Sequence, residues 1–103
     1  MILESGNIAH IFFNENDLSK KLTYFFVKEY KWIYGGNEYP LLNKKDFPIL
    51  LICDENKTML ISIIKKFKQH YFSNSEFVKL YKTEKQKYRK RKIENLLKIK
   101  SVN

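Results

Sequence analysis

The run Phe47-Pro-Ile-Leu-Leu-Ile-Cys53 is apolar throughout, with no alternation of apolar and polar positions. A strand of that kind has no face it can leave in water, so it requires packed structure on both sides. The run is far too short for the roughly 20 residues of a membrane span, as is the second apolar run, Met59 to Ile64. Pro48 cannot donate to a strand ladder and therefore belongs at the start of the strand. The 103 residues suffice for one layered domain around this strand. A hydrophobic fraction of 44%, with 16% aromatic residues, supplies the core such a domain needs.

The flanking segments supply the layers. Residues 8 to 13, Ile-Ala-His-Ile-Phe-Phe, form a second β-prone run that ends in Asn14-Glu15-Asn16-Asp17, residues suited to turning the chain and capping a helix. From Leu18 the apolar residues Leu22, Phe25, Phe26 and Ile33 recur at helical spacing, which predicts a helix that Gly35-Gly36 stops. Residues 37 to 46, with Asn37, Pro40, Asn43 and Lys44-Lys45, read as a surface loop with a short extended piece at 39 to 42. After the central run, Asp54-Glu55-Asn56 leads into Leu60, Ile63, Ile64, Phe67 and Tyr71, predicting an amphipathic helix whose other face carries Lys65, Lys66, Lys68 and Gln69. A hairpin with Met59 to Ile64 as a strand is the alternative. Ser73-Asn-Ser-Glu76 has capping-box spacing, so a further helix is expected to start near Asn74 and to use Phe77, Leu80, Tyr81 and Tyr88. Continued to Ile99 it would be about 37 Å long and its far end would project.

The segments Phe12-Phe-Asn-Glu-Asn16 and Ile52-Cys-Asp-Glu-Asn56 repeat the order strand, acidic turn, helix forty residues apart. The expected class is α+β, or a small α/β fold: two strand-helix units followed by a long basic C-terminal helix. A right-handed crossover between the units would pair their strands in parallel.

The net charge of +9 is unevenly placed. Residues 1 to 81 hold eleven Lys and no Arg against nine acids, whereas residues 82 to 103 hold seven Lys and two Arg against two Glu, a net +7. The chain thus reads as a compact α/β body, 1–81, with a basic helical extension, 82–103. Alanine occurs once, at Ala9, as expected of an AT-rich genome, so part of the lysine content follows codon usage. Both arginines nevertheless fall in the extension, and a guanidinium fork suits phosphate better than an ammonium does.

The stretch Lys82-Thr-Glu-Lys-Gln-Lys-Tyr-Arg-Lys-Arg-Lys92 has seven basic residues and one acid. Like charges one helical turn apart oppose folding, so an anionic partner that neutralises them would order the segment. Lys82, Lys85, Lys87, Arg89, Lys90, Arg91 and Lys92 are the expected phosphate contacts, with DNA ahead of RNA as the partner. Tyr88, one heptad from Tyr81, either stacks on bases or anchors the helix. Ile93, Leu96, Leu97 and Ile99 follow in the order of a basic zipper, but one heptad cannot sustain a coiled coil. These four are expected to pack on the body, on a sister chain or on a partner.

Catalytic and metal signatures are weak. Cys53, the lone cysteine, excludes an internal disulfide and reads as a buried core residue rather than half of a dyad with His10 or His70. No metal or cofactor site is expected, and Gly35-Gly36 lacks the pattern of a phosphate-cradling loop. The start Met-Ile-Leu-Glu-Ser is not a signal peptide, so the chain reads as cytoplasmic, with no membrane partner and the oligomeric state open. Glu15 and Asp17 after a strand, with Lys21 or Lys28 following, have the residue types of a metal-dependent nuclease centre, although acids at a helix N-terminus also serve as caps.

The order of a strand ending near Glu15-x-Asp17, a helix with Lys28 and Tyr30, a polar loop, Phe-Pro-Ile-Leu-Leu-Ile and another helix resembles the C-terminal half of the plasmid replication-relaxation family over residues 8 to 72. The resemblance implies a restriction-endonuclease-like core in a DNA-handling protein of a mobile element. The winged-helix half has no counterpart, and Leu51-Ile-Cys53 stands where a Glu-x-Lys pair belongs. The leading expectation is a small non-enzymatic nucleic-acid-binding protein of a phage, plasmid or similar element. One alternative is an antagonist or adaptor that binds a host nucleic-acid-processing enzyme through apolar residues near Trp32, Tyr34 and Tyr39. The other is a remnant of a metal-dependent nuclease.

Overall fold

The computed structural model describes residues 6–102, with side chains described through residue 97. The elements run β1 (Ile8–Phe12), α1 (Glu15–Val27), β2 (Lys31–Trp32), β3 (Ile49–Cys53), β4 (Thr58–Ile63), α2 (Lys68–Phe72) and α3 (Ser75–Val102), with single 3-10 turns at Lys44–Asp46 and Ile64–Phe67. The fold is α+β: one four-stranded sheet in the order β1-β3-β4-β2, with helices on both faces.

β3 is the interior strand that its composition requires. Ile49, Leu51 and Cys53 pack on one face with Leu18, Leu22 and Phe25 of α1, while Leu50 points to the other face with Phe77 and Leu80 of α3. The chain enters β3 through a cis Phe47-Pro48 peptide. β1 follows the same alternation, with Ala9 and Ile11 buried on the α3 side and Phe12 packed on the α1 side.

Three sequence expectations give way here. The predicted second helix, with Leu60, Ile63, Ile64, Phe67 and Tyr71 on one face, is instead strand β4 followed by a 3-10 turn and the short α2, so the second unit is a hairpin. Asp54 is the cause. Its Oδ1 accepts the backbone N–H groups of Asn56 (2.9 Å) and Thr58 (3.0 Å), and its other oxygen accepts the Thr58 hydroxyl. Lys57 takes the left-handed φ of 61° that closes the turn. These bonds, the Thr58 hydroxyl first among them, hold the Asp54 carboxyl below its ordinary pKa. Beyond the turn, β-branched Thr58, Ile61 and Ile63 suit a pleated surface.

The expected parallel pairing of the two strands is also corrected. β1 and β3 run antiparallel, from Ile8 opposite Cys53 to Phe12 opposite Ile49. The crossover through α1 lands at the opposite edge, where β2 pairs in parallel with β4, and the β3-β4 hairpin fills the space between.

Finally, α1 ends at Val27 rather than at Gly35. Tyr30 N–H bonds to the Phe25 carbonyl (2.9 Å) and Glu29 N–H to that of Phe26 (3.0 Å), a Schellman closure in which Glu29 occupies the left-handed position at φ 69°. Glycine usually fills that position, and its absence hides the stop. β2 then places Trp32 in the core, its indole N–H donating to the Glu38 carbonyl at 2.7 Å, so the loop after β2 folds back over it. Residues 39 to 42 belong to this loop and form no helix or strand.

Candidate nucleic-acid interface

α3 begins where the cap residues predict, with Asn74 Oδ1 accepting the Phe77 N–H at 3.0 Å. Phe77 and Leu80 sink into the core beside Ala9, Ile11, Leu50 and Ile64. Further along the helix, the rings of Tyr81 and Tyr88 close on Phe13, at centroid distances of 5.8 Å and 5.2 Å. The Tyr88 and Phe13 rings lie within 21° of parallel, so Tyr88 is an anchor. The helix is continuous across residue 82: 28 residues, about 42 Å at 1.5 Å per residue.

Anchoring by Phe77, Leu80, Tyr81 and Tyr88 fixes the rotation of the helix and sorts its charges into lines. Along Glu84, Lys87, Arg91 and Glu94, acids flank the bases. Lys87 Nζ lies 3.7 Å from Glu84, and Arg91 reaches across to Asp17 of α1 at 3.6 Å. Along Lys82, Lys85, Arg89 and Lys92, at steps of three, four and three residues, there is no acid. That line covers about 15 Å of helix. Lys85 and Lys92 reach over the Tyr81 and Tyr88 rings at 5.6 Å and 5.9 Å, which fixes their stems while leaving their charge uncompensated. Lys90 is exposed on the other side of the helix, beside Lys87, Arg91 and Glu94. Among the described residues Lys82, Lys85, Arg89, Lys90 and Lys92 have no ion-pair partner. The structure thus separates the residues expected at the interface into the acid-free line of Lys82, Lys85, Arg89 and Lys92, the unpaired Lys90 on the other side, and the charge-paired Lys87 and Arg91.

The apolar residues that follow do not pack on the body: Ile93, Leu96 and Leu97 are 58%, 55% and 59% exposed. Ile99 lies outside the described side chains. Beside β2, Trp32 is buried, which removes it from the expected apolar docking surface, while Ile33, Tyr34 and Leu41 stand open to solvent.

Of the residues of the nuclease alternative, Asp17 and Lys21 line one groove, and Glu15 and Lys28 are not part of it. Asp17 is engaged by Asn14, whose Nδ2 donates to it at 3.2 Å, and by Arg91, while Glu15 is exposed. The Lys21 ammonium lies over the rings of Tyr24 and Phe25 at 5.2 Å and 5.4 Å. Among the described residues no three His, Cys, Asp or Glu side chains gather where a metal ion could be held.

Cys53 is buried, and burial, aided by the Asp54 charge, pushes its thiol up to about 11, so it is no thiolate at neutral pH. His70 is exposed on α2 with its ring against Tyr71. His10 lies on the α1 side of β1, between the rings of Phe12 (6.2 Å) and Phe25 (5.8 Å). Burial, with the Lys21 charge, lowers its pKa from the ordinary 6.5 to about 4. Because the unfolded chain takes up this proton first, the stability tied to His10 is complete above pH 6.5 and is lost as the pH falls towards 4. The expected loss is on the order of 2 kcal/mol, discounted for the part of the ring that water reaches. Urea titrations at pH 7 and 4.5 should show a larger drop for the native chain than for H10F, and equal drops would refute the assignment.

Between α1 and α3, alongside β1, lies an open groove of about 440 Å³ lined by His10, Phe12, Lys20, Lys21, Tyr24 and Arg91 among others. Nothing in the spacing of Lys20 and Lys21 connects them to the basic stretch. They meet it only because both helices flank β1. Comparison with protein-family models, with curated proteins and with solved structures finds no match for the chain. Among the described residues no helix is long and apolar enough to cross a membrane.

Proposed function

We propose that this protein binds nucleic acid through α3, with Lys82, Lys85, Arg89, Lys90 and Lys92 neutralising backbone phosphates and Phe13 and Tyr88 holding the helix in place. The observation that carries this reading is the line of cations without acids, Lys82, Lys85, Arg89 and Lys92, beside the residues that fasten the helix to the core. Like charges gathered on a fixed helix repel one another, and a polyanion relieves that repulsion while releasing its own counterions. DNA is the partner in this reading, and phosphate contact of this kind carries affinity rather than sequence information.

Five neutralised phosphates predict that log K for a duplex falls against log salt with a slope of roughly −4.5. Fluorescence anisotropy with a labelled 20-base-pair duplex between 50 and 300 mM NaCl measures it. Absence of binding at 50 mM, or a slope shallower than about −1, would overturn the proposal.

A second reading, docking on a host enzyme, is favoured by the exposure of Ile33 (62%), Tyr34 (72%) and Leu41 (101%) beside β2. A protein captured from nuclease-treated lysate and released by Ile33→Ser plus Tyr34→Ser would support it. Capture unchanged by those substitutions would count against it.

A further inference from the structure

The groove between α1 and α3 is not used by the cationic face of α3. Its volume of about 440 Å³ falls within the range of small-molecule sites, roughly 300–1,000 Å³. Its wall combines the rings of His10, Phe12 and Tyr24 with the cations Lys20, Lys21 and Arg91. Two acids also face it, Asp17 and Glu84, but both are answered: Asp17 by Arg91 at 3.6 Å and Glu84 by Lys87 at 3.7 Å. Lys20 and Lys21 have no ion-pair partner among the described residues, so the groove carries unpaired positive charge at its α1 side.

His10 is the second observation. Its ring is half-buried, it touches only Phe12 and Phe25 among the aromatic residues described, and no hydrogen bond to either nitrogen is present among the described residues. The ring stays neutral at pH 7, so it offers one donor and one acceptor on the groove wall. Aromatic faces, an unused donor and acceptor, and unpaired ammonium groups are the complements of a base, its polar edge and its phosphate.

We propose that the groove binds one unstacked nucleotide, its base against His10, Phe12 and Tyr24 and its phosphate at Lys20 and Lys21. This rests on the reading of α3 as a phosphate-contacting helix, because the strand held there supplies the nucleotide. It goes beyond that reading by making the protein prefer single strands, since a base within a duplex is not free to enter.

The test compares labelled (dT)12 with a 12-base-pair duplex at 100 mM NaCl, using the native chain and K20Q/K21Q, while the His10 ring protons are followed by NMR. Lys20 is exposed and Lys21 half-buried, so the double variant is compatible with the fold. The expected result is about a tenfold loss of (dT)12 affinity with less than a threefold change for the duplex, and movement of the His10 signals on adding (dT)12. Equal losses on both ligands, or His10 signals that do not move, would overturn the groove assignment and leave the α3 reading standing. If the native chain binds neither ligand, the α3 reading fails. Titration with thymidine monophosphate then decides the groove by itself: movement of the His10 signals supports it, and their constancy overturns it.

Discussion

Replacing Lys82, Lys85, Arg89, Lys90 and Lys92 together by glutamine should lower affinity for a 20-base-pair duplex by at least about 10³-fold at 100 mM salt. The size follows from counterion release: each cation removed from a phosphate takes away close to one power of the salt dependence, and five such removals multiply. Replacing Lys87 and Arg91 should cost less than about tenfold, because both already have carboxylate partners, Glu84 and Asp17. The five substitutions relieve repulsion between neighbours such as Lys85 and Arg89, so thermal stability should hold or rise slightly. Equal losses for the two variants would mean that the sorting of charge onto faces has no part in binding.

The second large effect is on stability. Met59→Ala should destabilise the protein by about 2–5 kcal/mol, and its neighbour Leu60→Ala by less than about 1 kcal/mol. Met59 is 1% exposed and faces the α1 core, while Leu60, one residue on along the strand, points to the other face and is 45% exposed. Against a total stability of about 5–15 kcal/mol for a domain, the first loss is readily measured by urea unfolding. A helix over these residues would reverse the ranking, since Leu60 lies on its apolar side. A larger loss for Leu60→Ala would refute strand β4.

The central strand, the start of α1 after Asn14 and the start of α3 at the Asn74 cap were all legible, because each rests on an unbroken apolar run or on a side chain that bonds its own neighbourhood. Two local features misled. Glu29 ends α1 in a backbone conformation that a sequence normally signals with glycine. Leu60, Ile63, Ile64, Phe67 and Tyr71 fit a helical stripe as well as they fit a strand followed by a turn, and the bonds made by Asp54 decide between the two. At the interface, the concentration of positive charge beyond residue 81 was plain, but which cations are already paired was not. Arg91 is paired by Asp17, seventy-four positions earlier, and no spacing rule links them.

By itself, then, the sequence determined an α+β domain with β3 at its centre and a basic terminal helix, because covalent order and side-chain type suffice to say which segments must be buried and where charge accumulates. Only the tertiary structure decided the antiparallel pairing of β1 with β3, the insertion of the β3-β4 hairpin between β1 and β2, and the role of Tyr88 as an anchor on Phe13. Strand direction and helix rotation depend on contacts between residues far apart in the chain. Those contacts sort a run of seven basic residues into five without a carboxylate partner among the described residues and two, Lys87 and Arg91, that have one.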